Sequence, residues 1–113
     1  MCIGRSARRD VGVPGYDELV SFAVETGSAQ RYSFGADRLI EEHVLVPDPS
    51  DPSGPALWAV GTALDLQRGR TVMSVFRADQ ISDGPVAQAT LPYAIPVGLH
   101  GCFVPGSVLT HVC

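Results

Sequence analysis

Several short stretches of the chain alternate apolar with small or polar residues, the two-residue period of strands that bury one face. Leu19-Val20-Ser21-Phe22-Ala23-Val24 is the first, and it runs into Glu25-Thr26-Gly27-Ser28. Residues 29–34 follow, with Tyr32 and Phe34 two apart and therefore on one face of a strand. Strand, glycine-containing turn and strand predict a hairpin. Val44-Leu45-Val46 is a further β-prone run, closed by Pro47. Residues 47–55 hold Pro47, Pro49, Pro52 and Pro55, none with a backbone N–H, so this stretch is predicted as an exposed loop. Residues 57–64 and 71–76 predict a second hairpin around Asp65-Leu66-Gln67-Arg68-Gly69-Arg70, with Gly69 near its tip. Residues 79–85 read as a turn region with a short helical turn, and 86–91 as another strand. The tail, 95–105, carries too much Gly and Pro for regular pairing. No heptad, amphipathic helix, low-complexity tract or convincing repeat is present.

Composition agrees with this pattern and narrows the class. A chain of 113 residues holds one domain with room for a real core. Hydrophobic residues are 45% and charged residues 18%, a globular rather than disordered balance. The 12 Gly and 9 Pro are spread along the chain, which implies many turns between short elements, an all-β chain, and excludes a long helical bundle. The formal charge is −4, so the basic excess that releases counterions from a nucleic acid is missing and no nucleic-acid partner is expected. Arg5, Arg8 and Arg9 form the one local basic cluster, and no apolar segment follows them as a secretory signal requires. No apolar run approaches the ~20 residues that span a bilayer. Cys2, Cys102 and Cys113 are an odd number and too few for a disulfide scaffold, so a soluble, reduced, cytoplasmic protein is expected.

Four segments in this order resemble the carotenoid oxygenase family, which includes the carotenoid-cleavage and lignostilbene dioxygenases. They are LVSFAVETG at 19–27, EHVLVPDP at 42–49, GPVAQATLP at 84–92 and IPVGLHGCFVP at 95–105. The resemblance runs over 16–106, between an N-terminal segment (1–15) and a short tail (107–113), and corresponds to the C-terminal part of a much longer family fold. It implies the terminal blades of a seven-bladed β-propeller, incomplete in this chain. It also implies a non-haem Fe(II) held by four histidines, which with O2 cleaves a conjugated double bond of a carotenoid, apocarotenoid or stilbene into two carbonyl products. Pro96-Val97-Gly98-Leu99-His100-Gly101 matches the family's last ligand motif, Pro-x-Gly-x-His-Gly, which makes His100 the candidate iron ligand. In the family pattern Gly-Glu-Pro-x-Phe-Val-Pro the Glu supports a ligating imidazole. Glu42 is the matching residue, with Glu41 in place of the Gly, His43 of the Pro and Leu45 of the Phe. The other three ligands belong to parts of the family fold that precede the matched segment, so the 113-residue chain alone is not expected to catalyse.

The chemistry stands on its own terms. Neutral imidazole suits Fe(II), and a ligating His commonly gives its second ring nitrogen to a carboxylate that fixes its tautomer. His43 and His111 are expected at the surface, and Trp58, Phe76 and Tyr93 as packing aromatics. Two alternatives accompany the iron site. His100-x-Cys102 and His111-x-Cys113 place four ligand-type side chains near the chain end and could form a small zinc module. A non-catalytic truncated or split-propeller piece would instead pair with the missing blades, or with itself, through open strand edges.

Overall fold

The computed structural model describes residues 2–4, 15–98 and 100–106. Eight strands and one 3-10 turn account for its regular structure, as the all-β pattern predicts. Strands β1 (Cys2–Gly4), β2 (Glu18–Ala23) and β3 (Ser28–Ser33) form one antiparallel sheet in that order. The second sheet contains β4 (Arg38–Ile40), β5 (Val44–Pro47), β6 (Leu57–Asp65), β7 (Arg70–Arg77) and β8 (Ala87–Thr90). Here β4 and β5 pair with successive parts of the same edge of β6, so the sheet runs up and down as β4/β5, β6, β7 and β8.

Both expected hairpins are present. β2 and β3 close at Ala23↔Ser28, and β6 and β7 at Asp65↔Arg70. Each loop ends on a glycine in the left-handed region, Gly27 at φ 69° and Gly69 at φ 61°, where an L side chain would be strained. In the second loop the Asp65 carboxylate accepts hydrogen bonds from the amides of Gln67 (3.0 Å) and Arg68 (3.1 Å). The three-residue strands β1 and β4 carry no alternation long enough to read from sequence.

The core lies where the two sheets face each other. Leu19 from the first sheet meets Ile40, Ala59, Ala63 and Phe76 of the second, with Ile81 of the 3-10 turn (Ile81–Asp83) closing the cluster. Tyr32 and Phe34 pack edge-on against each other and against Phe76, at ring separations of 5.0–5.8 Å. Polar ties reinforce this seam. The Gln30 amide donates to the Asp79 carbonyl (2.6 Å), and the Ser82 hydroxyl donates to Gln30 Oε1 (3.0 Å). Of the three aromatics expected in packing, Phe76 is fully buried and Trp58 is half-buried, with Arg77 over its ring at 5.7 Å. Tyr93 is not a packing residue: it is 57% exposed, and its segment beyond β8 is tied to Thr71 of β7 through hydrogen bonds that do not involve the Tyr93 ring.

Candidate functional site

The site begins with a break in strand pairing. Ile40 faces Ala63 and Val44 faces Val60, so Glu41, Glu42 and His43 oppose only Gly61 and Thr62. Three residues against two make a β-bulge, which shifts the alternation of side chains by one position. Strict alternation from the buried Ile40 would turn Glu42 inward and His43 outward. With the extra residue, Ile40 and His43 are both buried and Glu42 is exposed.

His43 is therefore not the surface residue that alternation predicts: 5% of it is exposed. Its ring lies 5.7 Å from that of Phe34 and 5.8 Å from that of Phe76. Gly61 provides the space, since a Cβ there would fall 2.5 Å from the imidazole. His43 Nδ1 lies 2.9 Å from the carbonyl oxygen of Glu41. A carbonyl only accepts, so Nδ1 carries the proton and Nε2 of the neutral ring is a bare acceptor. That Nε2 is buried without a hydrogen-bond partner. Burial holds the His43 pKa below the usual imidazole value, and the bond to Glu41 offsets this in part.

His100 arrives from the tail. After β8 the chain is stitched to Thr71: the Leu91 amide donates to the Thr71 carbonyl (2.8 Å) and the Thr71 amide to the Tyr93 carbonyl (3.0 Å). The Ile95 amide then donates to Thr71 Oγ1 (2.7 Å). From there the chain turns back towards the bulge, where the Gly101 amide donates to Glu42 Oε2 at 2.9 Å. His100 Nδ1 lies 3.6 Å from the same oxygen, within reach of charge attraction but longer than a hydrogen bond. The Gly101 N–H, foremost, and the neighbouring His100 hold the Glu42 carboxyl below the usual carboxylate range.

Glu42, His43 and His100 line one cavity of about 510 Å³, whose other walls include Tyr16, Leu19, Leu39, Ile40 and Val97. The structure thus brings Glu42 and His100 together from 58 positions apart (100 − 42), and it adds His43, which no motif indicates. Only the Gly at 61 across the bulge betrays the buried ring, and the sequence does not reveal that the two residues meet. Of the alternative zinc set, Cys102 is an exposed free thiol, while His111 and Cys113 lie outside the described residues. Among the described residues no group of three or more His, Cys, Asp or Glu side chains is placed to hold a metal.

Comparison with known proteins sets this geometry in context. The family model described as retinal pigment epithelial membrane protein matches residues 1–105. No curated protein sequence matches the chain. Among solved structures, lignostilbene dioxygenase of Pseudomonas brassicacearum is similar with a TM-score of 0.73 at 23% identity, over 81% of this chain and 19% of that one. The cobalt-substituted apocarotenoid oxygenase of Synechocystis gives 0.73 at 21% identity, over 80% of this chain and 19% of that one. A variant of the same Synechocystis enzyme gives 0.71 at 21% identity, over 79% and 19%. The chain thus spans about a fifth of the length of these structures, and at such identities the likeness is one of fold.

Proposed function

The chain belongs to the carotenoid oxygenase family, matched through its retinal pigment epithelial membrane protein model, and on that premise we propose that it is the C-terminal portion of a non-haem Fe(II) dioxygenase. The reaction is oxidative cleavage of a conjugated C=C bond in a carotenoid, apocarotenoid or stilbene, with O2 as co-substrate and the cytoplasm as its setting. The observation that carries this reading is the convergence of His100 and Gly101 on Glu42. The oxygenase portion is 16–106. Its up-and-down sheet, β4/β5 to β8, has the form of one propeller blade, and β1–β3 contribute to a second.

The residues present fit an iron site as one ligand and its support. An imidazole whose Nδ1 faces a carboxylate keeps its Nε2 lone pair for a metal, and such a carboxylate raises the basicity of the ligand. Bound iron would supply O2 activation. Glu42 sets a carboxylate beside the His100 ring, where it can close on Nδ1 and fix the tautomer of a metal-bound imidazole, and the Gly101 N–H anchors that carboxylate and favours its ionised form. At Gly98 the tail passes beside the Glu41 carboxylate, close enough that a Cβ there would lie 3.3 Å from Oε2. The apolar walls of the shared cavity suit a hydrocarbon chain or an aromatic ring. The remaining ligands would come from other parts of the family fold.

Co(II) in place of Fe(II) tests the assignment. Titrated into the full chain, it is expected to broaden the imidazole resonances of His100 before those of His43, and His100→Ala should remove the effect. Broadening that starts at Cys102, His111 and Cys113 and survives His100→Ala would move metal binding to the chain end. In a polypeptide carrying all four ligands, His100→Ala is expected to abolish iron retention, and full occupancy there would remove His100 from the site.

A further inference from the structure

We infer that His43 is a positioning residue, which clamps the bulge from within the core so that the Glu42 carboxylate stays in front of His100. The inference rests on the reading of Glu42 as the support of His100, but its own evidence is the geometry of the bulge.

Glu42 is the middle residue of the bulge, and the hydrogen bond from His43 Nδ1 to the Glu41 carbonyl closes a ring of atoms around it. The φ and ψ of Glu42 both lie inside that ring, so the bond restrains the two torsions that aim its side chain. The residues on either side are also anchored to one dipeptide of β6. The Glu41 amide donates to the Thr62 carbonyl at 3.0 Å, and the His43 ring sits over Gly61. Phe34 and Phe76 flank that ring and prevent it from swinging out. Without these holds a bulge is the soft part of a strand, with its extra residue outside the ladder. The Glu42 side chain is 43% exposed, and its hydrogen bond comes from the tail, an irregular segment without a ladder of its own.

The choice of residue supports a clamp over simple filling. A phenylalanine would occupy the Gly61 hollow and complete the aromatic cluster without burying a polar atom. Histidine brings a buried Nε2 with no partner, which costs stability. What it adds over phenylalanine is the Nδ1–H, and that donor holds Glu41. The ring thus acts on the site through Glu42.

Three readings on the full chain test this, none of which requires a metal. In the unaltered chain the imidazole 15N shifts of His43 should report a proton on Nδ1; a proton on Nε2 overturns the clamp whatever any variant does. His43→Phe keeps the ring and loses the donor, whereas His43→Asn restores a donor at the same branch point. In His43→Phe the Gly101 amide should lose its carboxylate-bonded shift and exchange about tenfold faster, while the amides of Ala63 and Val72 keep their protection. His43→Asn should recover most of the Gly101 shift. Unchanged Gly101 behaviour in His43→Phe, or equal loss in both variants, would reduce His43 to a core filler. Failure of Co(II) to find His100 would count against the iron reading and leave these amide readings intact, so the two failures are distinguishable.

Discussion

His43 and His100 lie on either side of one carboxylate in opposite surroundings. The first is buried among Phe34, Phe76 and Gly61, with one ring nitrogen bonded and the other unpartnered. The second has 89% of its side chain in solvent and meets Glu42 alone among the described acidic groups. The motif points to the exposed ring, yet packing specifies the buried one. A ligand that must reach a metal and a substrate needs open space and a charged neighbour. A residue that holds a backbone needs rigid walls. Glu42 connects the two, because its backbone belongs to the clamp and its carboxylate to the tail.

The largest effect on this contrast should come from removing a wall. Phe76→Ala empties a fully buried ring position that touches Tyr32, Phe34 and His43. A loss of about 3–5 kcal/mol is expected in urea unfolding, and a loss under about 1 kcal/mol would mean that the cluster is not the core. Filling the hollow comes next. Gly61→Ala sets a methyl 2.5 Å from the His43 ring, so the ring or a strand must move, at a cost of about 1–3 kcal/mol. Adding His43→Ala should relieve much of that cost. Strict additivity in the double variant would show that the two residues do not share the space.

Acid should separate the histidines next. The folded-state pKa of His43 is depressed, so the folded chain binds this proton less readily than the unfolded one. Its neutral burial is free of penalty above the ordinary value of about 6.5. Stability then falls as pH drops from there through the folded value. Glu42, Asp48 and Asp65 are also depressed, chiefly by hydrogen bonds donated to their carboxylates. Their contribution is complete above the ordinary carboxylate range and is lost as pH falls through their folded values, a lower window of about pH 4 and below. His43→Phe should flatten the upper window of a stability-against-pH curve and leave the lower one; an unchanged upper window would assign it to another group. The smallest effect belongs to His100→Ala, which should change unfolding stability by no more than about 0.5 kcal/mol, because its side chain is almost fully solvated. A larger loss would make the tail part of the fold's support.

How much was legible follows the range of the interactions. Hairpins are local, so 57–64 and 71–76 predict β6 and β7 to within a residue or so, and Gly27 and Gly69 mark the loops because a positive φ leaves few alternatives. Glu42 and His100 are legible as a pair only through the resemblance, since 58 intervening positions separate them and no period links them. The short strands β1 and β4 are set by partners elsewhere in the chain, Leu19 opposite Ile3 and Leu64 opposite Leu39. Tyr93 shows the reverse, an aromatic expected inside that stays outside, its segment tied to the backbone and hydroxyl of Thr71 by hydrogen bonds that leave the ring in solvent.

By itself the sequence determined the all-β class, the two hairpins, the proline loop and the family to which the chain belongs, since these depend on local period, turn chemistry and ordered motifs. Only the tertiary structure decided that three residues face two beside Gly61. That one-residue mismatch buries His43 and exposes Glu42, and no alternation along a single strand can encode it. A bulge is a relation between two strands, and it exists only once both are paired.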